Sequence, residues 1–102
     1  MNFQMDSQKK QGIITINGEI SLQHAKEIKD LLSKAIDKSN DIIIDLEKVS
    51  YIDLSFFQLL FAAQQKCKHL KKNIFFSKSS LDFIKKNISE AGFSHSIIIN
   101  GV

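Results

Sequence analysis

Asp41-Ile-Ile-Ile-Asp-Leu-Glu-Lys-Val-Ser-Tyr-Ile-Asp-Leu-Ser-Phe-Phe-Gln-Leu-Leu60 is the stretch that decides how this chain folds. Three consecutive isoleucines, Ile42 to Ile44, with no polar alternation predict a strand over Asp41–Leu46 buried on both faces, as in a parallel sheet flanked by helices. Glu47 to Asp53 reads as a connector. From Ser55 to about Leu70 apolar residues return at helical spacing. Lys66, Lys68, His69, Lys71 and Lys72 crowd the end of that run, where cations favour the negative pole of a helix dipole.

The same alternation extends outward on both sides. Gly12-Ile-Ile-Thr-Ile-Asn-Gly18 is β-branched and bounded by glycines, which predicts a strand. Ser21 stands as the N-cap of a helix of about 16 residues whose stripe is Leu22, Ala25, Ile28, Leu32, Ala35 and Ile36, with lysines on its other side. Beyond the central stretch, Asn73–Ser77 predicts a third strand. Ser80 caps a helix through Ala91 with Leu81, Ile84 and Ile88 as its stripe, and Gly92 is its stop. Ile97–Ile99 is the candidate for a last strand. Strand and helix alternate, so the fold class is α/β: a mainly parallel or mixed sheet with helices packed on it, and one face thinly covered for want of chain.

Composition agrees. The chain has 102 residues, 43% hydrophobic and 25% charged, with no proline and four glycines. That is ordinary globular usage without a linker, and it predicts a single domain over residues 1–102. All 14 basic residues are lysine. A reader of nucleic-acid sequence depends on the bidentate arginine fork, so the absence of arginine argues against a nucleic-acid partner. The net charge of +3 is too low for a strong nonspecific patch. Met1 to Gln11 is polar, and no apolar stretch reaches the roughly 20 residues a bilayer demands. Cys67 stands alone, which fits a reducing compartment. A cytoplasmic protein without membrane insertion is expected.

Signatures of catalysis are lacking. His24, His69 and His95 lie far apart, none at metal-ligand spacing with Cys67, and no phosphate-binding glycine loop or nucleophile elbow occurs. Asp45 and Asp53 could meet at a strand's carboxyl end, but two carboxylates alone specify no reaction. The chain therefore reads as no enzyme, with no cofactor and no metal. Cys67 shares a stripe with Leu60, Ala63 and Leu70 and reads as a small core residue; the alternative is a redox-sensing thiol beside Lys66 and Lys68. The lysines from Lys66 to Lys72 read as a solvated helix end, or as a contact for an anionic surface.

Asp53 and Ser55 stand at a helix start. Both are N-cap residue types, so capping accounts for them. A serine hydroxyl at a helix N-terminus is also well placed to carry phosphate, since free N–H groups and the positive dipole end stabilise added negative charge. Along the helix, Phe56 lies with Leu60, Ala63, Cys67 and Leu70, whereas Phe61 points off that stripe and Phe57 lies on its shoulder. Either the helix is buried on two sides, or the aromatics form an exposed anchor beside Ser55 for a partner.

These residues resemble the signature of the STAS domain, the family of bacterial anti-sigma factor antagonists: a hydrophobic strand ending in Asp-Leu, a spacer, then Asp-Ser-Ser-Gly-Leu opening a helix. Here it reads Ile43-Ile44-Asp45-Leu46, Val49, Tyr51-Ile52 and Asp53-Leu54-Ser55-Phe56-Phe57. Ile14-Thr-Ile-Asn-Gly-Glu-Ile20 is similar to the family's strand and Gly-Glu-Leu turn, and Glu90-Ala-Gly-Phe93 to its closing segment. The likeness spans about residues 12–99. It implies a mixed four- to five-stranded sheet with helices mainly on one face. It also implies a binding module that engages a serine kinase-type anti-sigma factor until Ser55 is phosphorylated, a phosphatase restoring binding. Partner contacts would come from Asp53, Leu54, Phe56, Phe57, Phe61 and Ser21. Three positions depart from the pattern: Leu54 replaces the first serine, Phe56 the glycine, and Ser21 the aspartate after Gly-Glu-Leu. Leu54 and Phe56 favour the alternative of a non-switching interaction subunit in a chemotaxis-like or lipid-transport complex.

Overall fold

The computed structural model describes residues 1–101. Its spine is β3 (Asp41–Ile52), 12 residues long, lying parallel to β2 (Gln11–Ile20). Pairing runs from Gln11 opposite Asp41 to Ile20 opposite Ile52, with register shifts between Thr15 and Asn17 and between Gly18 and Glu19. At each shift β3 carries one extra residue, a bulge. The expected connector Glu47–Asp53 is thus strand as far as Ile52, and the bulges explain why it is not legible as one. Leu46, Val49 and Ile52 all face the core, a spacing of three that matches neither the strand period of two nor the helical one. Gly18 takes a positive φ of 82° at the second shift, a conformation glycine adopts freely. Strand β2 therefore runs through both glycines rather than between them. Gly12 owes its place to a close approach: a Cβ there would stand 2.6 Å from the ring of Phe3 and 2.4 Å from the Ser39 hydroxyl.

Phe3 belongs to β1 (Asn2–Asp6), which pairs antiparallel with β2 and had no visible signal in the polar N-terminal sequence. On the other side, β4 (Asn73–Phe76) lies parallel to β3. The sheet is four-stranded and mixed, in the order β1-β2-β3-β4. Helix α1 (Ala25–Lys38) crosses from β2 to β3, α2 (Leu54–Leu70) from β3 to β4, and α3 (Leu81–Glu90) follows β4. Gly92, at φ 81°, sits just past α3 as its stop.

One face of the sheet meets the helices. Ile14 and Ile16 of β2, Ile42, Ile44 and Leu46 of β3, and Ile74 and Phe76 of β4 form a single core with Ile28, Leu32, Ala35 and Ile36 of α1, Phe56, Phe57, Leu60, Ala63 and Cys67 of α2, and Ile84 and Ile88 of α3. The alternate positions Ile13, Ile43 and Phe75 face each other across the strands and are only partly covered. Burial of the isoleucine run on both faces is accordingly corrected: Ile43 lies on the uncovered side. Leu70, expected in the stripe of α2, is exposed at the helix end.

Two further expectations fail for identifiable reasons. Ile97–Ile99 forms no fifth strand; only Gly101 bridges to Phe76. The backbone of Ile98 is instead satisfied by one side chain, the Gln64 amide, which donates to the Ile98 carbonyl at 2.6 Å and accepts from its N–H at 3.0 Å. Ser80 stands at the N-cap position of α3, but its side chain makes no cap hydrogen bond there. It is fully buried in a short 3-10 turn (Lys78–Ser80), where its hydroxyl accepts from the Leu46 N–H at 2.7 Å and meets the Ser77 hydroxyl at 2.6 Å.

Candidate functional site

The carboxyl ends of β2 and β3 place two turns side by side. Ile20 pairs with Ile52, and the Asp53 N–H donates to the Ile20 carbonyl at 2.8 Å, so Ser21-Leu22 and Asp53-Leu54-Ser55 emerge together at one edge of the sheet. Ser21 opens a 3-10 turn, Leu22–His24, rather than α1 itself. Its backbone N–H reaches His24 Nδ1 at 3.4 Å, its hydroxyl lies 3.2 Å from the same atom, and its carbonyl accepts from the His24 N–H. The tight turn rotates Leu22 out of the α1 stripe and leaves it 69% exposed.

On the neighbouring turn the two capping candidates separate. Asp53, in extended conformation, is the N-cap of α2, its Oδ1 accepting from the Ser55 N–H at 2.8 Å. Ser55 contributes only its backbone to that cap. Its half-exposed side chain stands in the first turn of the helix, at the positive end of the dipole. Capping explains Asp53 and leaves the Ser55 hydroxyl unexplained.

The aromatic anchor expected beside Ser55 is not at the surface. Phe56 and Phe57 are 1% and 2% exposed and pack edge to face, centroids 5.8 Å apart at 71°. Phe93, beyond α3, covers Phe57 at 6.1 Å, and Phe61 is partly buried against the same core. The exposed apolar residues at this edge are Leu54, one of the expected contacts, at 50% exposure, and two that sequence reasoning passed over, Tyr51 at 53% and Leu22 on the neighbouring turn. Tyr51 pairs with Glu19 on the bulged end of β3. The one sequence signal for Leu22 was its place directly after an N-cap residue. The Phe56 ring, in the position of the family's glycine, turns inward, so its bulk does not stand over Ser55.

Elsewhere Cys67 is buried, and desolvation pushes its thiol pKa up against the opposing pull of Lys72 and Lys66. A thiol so placed is a packing group and not a nucleophile. Among the described residues no group of three or more His, Cys, Asp or Glu side chains is placed to hold a metal ion, and no helix is long and apolar enough to cross a membrane.

A family model of the STAS domain matches residues 2–101. The chain belongs to the STAS domain family. The match takes in β1, outside the span the sequence motifs covered. No curated protein matches the chain. Among solved structures, the anti-sigma factor antagonist SpoIIAA in its unphosphorylated form is similar at a TM-score of 0.70 and 19% identity, over 96% of this chain and 87% of that one. The Bacillus cell fate determinant SpoIIAA in its phosphorylated form is similar at 0.68 and 19%, over 96% and 90%. A chain of the complex between the diguanylate cyclase SiaD and its activator SiaC from Pseudomonas aeruginosa is similar at 0.54 and 11%, over 97% and 88%. At these identities the likeness establishes the fold: this STAS domain has the SpoIIAA architecture, one α/β domain with a four-stranded mixed sheet and three α-helices.

Proposed function

We propose that this STAS domain is an anti-sigma factor antagonist-like regulator that binds a serine kinase-type anti-sigma factor through the Ser21–Leu22 and Tyr51–Ser55 edge, and that phosphate on Ser55 releases it. One observation carries the reading: the Ser55 hydroxyl stands in the first turn of α2, is not the capping group, and emerges at the same sheet edge as exposed Leu22 and Leu54, with exposed Tyr51 near the end of β3. Apolar side chains of this kind gain by leaving water against a partner. A phosphate among them brings −1.5 to −2 charges, roughly, that the interface would have to desolvate, while the helix N-terminus tolerates the charge in the free protein. The phosphorylated and unphosphorylated forms of SpoIIAA, the same fold, support the reading. In it the kinase supplies ATP and catalysis in the cytoplasm, this domain is substrate and ligand, and a phosphatase resets it.

The test is incubation with the cognate kinase and ATP, followed by mass-spectrometric mapping. Label is expected on Ser55 and absent from Ser55→Ala, and Ser55→Asp should weaken partner binding by about tenfold or more. Label elsewhere, or unchanged affinity of Ser55→Asp, would sink the mechanism.

A second reading rests on Leu54. An exposed leucine replaces the first serine of the signature and gives the edge a permanently apolar character, as a non-switching subunit requires. Under it Leu22→Ala and Leu54→Ala abolish partner capture while Ser55→Ala and Ser55→Asp leave it intact. Phe57 and Phe61 serve poorly as probes of either reading, because removing them would damage the core.

A further inference from the structure

The lysines that crowd the end of α2 do more than complement its dipole. They border a cleft of about 530 Å³ between the end of α2, the start of β4 and the returning segment Ser96–Asn100. That volume is in the range of small-molecule sites, roughly 300–1,000 Å³. Lys68, Lys71 and Lys72 line it together with amide and hydroxyl side chains, and no carboxylate does. Its apolar floor is Cys67, Ile74 and Ile98.

Three details distinguish this cleft from a solvated helix end. Lys71 ends α2 in the left-handed conformation, φ 59° and ψ 39°, which glycine adopts more readily, so a lysine is held there against its backbone preference. Lys72 is already committed, its ammonium donating to the Ile36 carbonyl across the core edge, which leaves Lys68 and Lys71 as the free cations at the mouth. The outer edge of β4 also opens onto the cleft. The Phe76 N–H bonds outward to the Asn100 carbonyl at 2.7 Å, whereas Asn73 and Ser77 donate inward towards β3. By strand alternation the Ile74 N–H, two residues before Phe76, points outward as well, into the cleft that Ile74 lines.

We infer that this cleft binds a small organic phosphate, its anionic group accepting from the Ile74 N–H and from the Lys68 and Lys71 ammonium groups, its carbon skeleton lying on Ile74 and Ile98. Two free cations and a backbone donor suit a dianionic phosphate better than a single carboxylate. Lysine serves as a point-charge phosphate ligand without arginine's fork. No aromatic ring lines the cleft to stack a base, so selectivity rests on the phosphate rather than on a nucleobase. The Gln64 clamp on Ile98 fixes the wall that closes the site. The cleft lies at the opposite pole of α2 from Ser55, about 24 Å along the helix at 1.5 Å per residue, so it stands or falls independently of the phosphoswitch.

Titration of the 15N-labelled protein with inorganic phosphate, ribose 5-phosphate and adenosine 5′-monophosphate, with adenosine as the uncharged control, tests the inference. The three phosphates should move the amides of Ile74, Lys71 and Ile98 most, the organic ones saturating at lower concentration, and adenosine should move none of them. Lys68→Gln/Lys71→Gln, both exposed positions, should keep the spectrum of the folded protein and lose affinity by ten- to a hundredfold, roughly, while Lys85→Gln/Lys86→Gln on α3 leaves it unchanged. Shifts scattered over lysines of every helix, equal weakening by both double variants, or no response of Ile74 would each overturn it.

Discussion

Asp53 and Ser55 show how little two residue types reveal about division of labour. Either could cap a helix, and only the placed backbone shows that Asp53 accepts from the Ser55 N–H and not the reverse. Removing the acceptor leaves a first-turn N–H without its partner. Asp53→Ala is expected to cost about 1 kcal/mol of stability, within roughly 0.5–2, and Asp53→Asn much less, because the amide oxygen still accepts. Urea unfolding checks this: the midpoint should fall for Asp53→Ala at constant slope. The Ser55 hydroxyl, outside the cap, should change stability little when removed, so a binding defect in Ser55→Ala would report on the interface alone. Phe56 illustrates the converse. A phenylalanine in the family's glycine position is a departure from the motif, yet the first turn of α2 directs it into the core. Rotation about the helix axis decides that, and the rotation is set by what α2 packs against.

Among the elements, β3 and the closing segment departed furthest from the sequence reading, in opposite directions. The second half of β3 is strand that lacks strand periodicity, since each bulge advances the buried face by one extra residue. Ile97–Ile99 has β-branched composition without a ladder, its middle residue held by Gln64. A side-chain amide offers the same donor and acceptor pair as a peptide group, so one glutamine replaces one rung. Gln64→Ala is therefore expected to free the segment from α2 while the sheet persists. Hydrogen exchange should show faster exchange at Ile98, with protection of β2 and β3 amides retained; the Gln64→Glu variant, which keeps the acceptor and loses the donor, should fall between. Equal exchange in wild type and Gln64→Ala would show that the segment is held by Ile97 burial alone.

For the molecule as a whole, the asymmetry of the sheet dominates the energetics. All helices cover one face, so adjacent residues of β4 have opposite weight. Phe76 is fully buried among Ile44, Ile84 and their neighbours in the one core, and Phe75 lies on the uncovered side. Phe76→Ala is expected to cost about 3–5 kcal/mol, whereas Phe75→Ala removes only partly covered area and should cost well under half of that. Thermal or urea unfolding of the two variants measures the ratio directly. Comparable losses would mean that the open face is covered in solution. The sequence by itself determined the α/β alternation, the stripe of α1 from Ile28 to Ile36, that of α3, and the Asp53–Ser55 turn, because local spacing, caps and the family's motif are written in neighbouring residues. It could not determine β1, the length of β3, the inward turn of Phe56 and Phe57, or the joining of Leu22 to Leu54 and of Lys71 to Ile98. Those depend on which residues far apart in the chain share a strand edge or a core. Pairing and burial of that kind are settled by competition across the whole fold, and no local pattern carries their outcome.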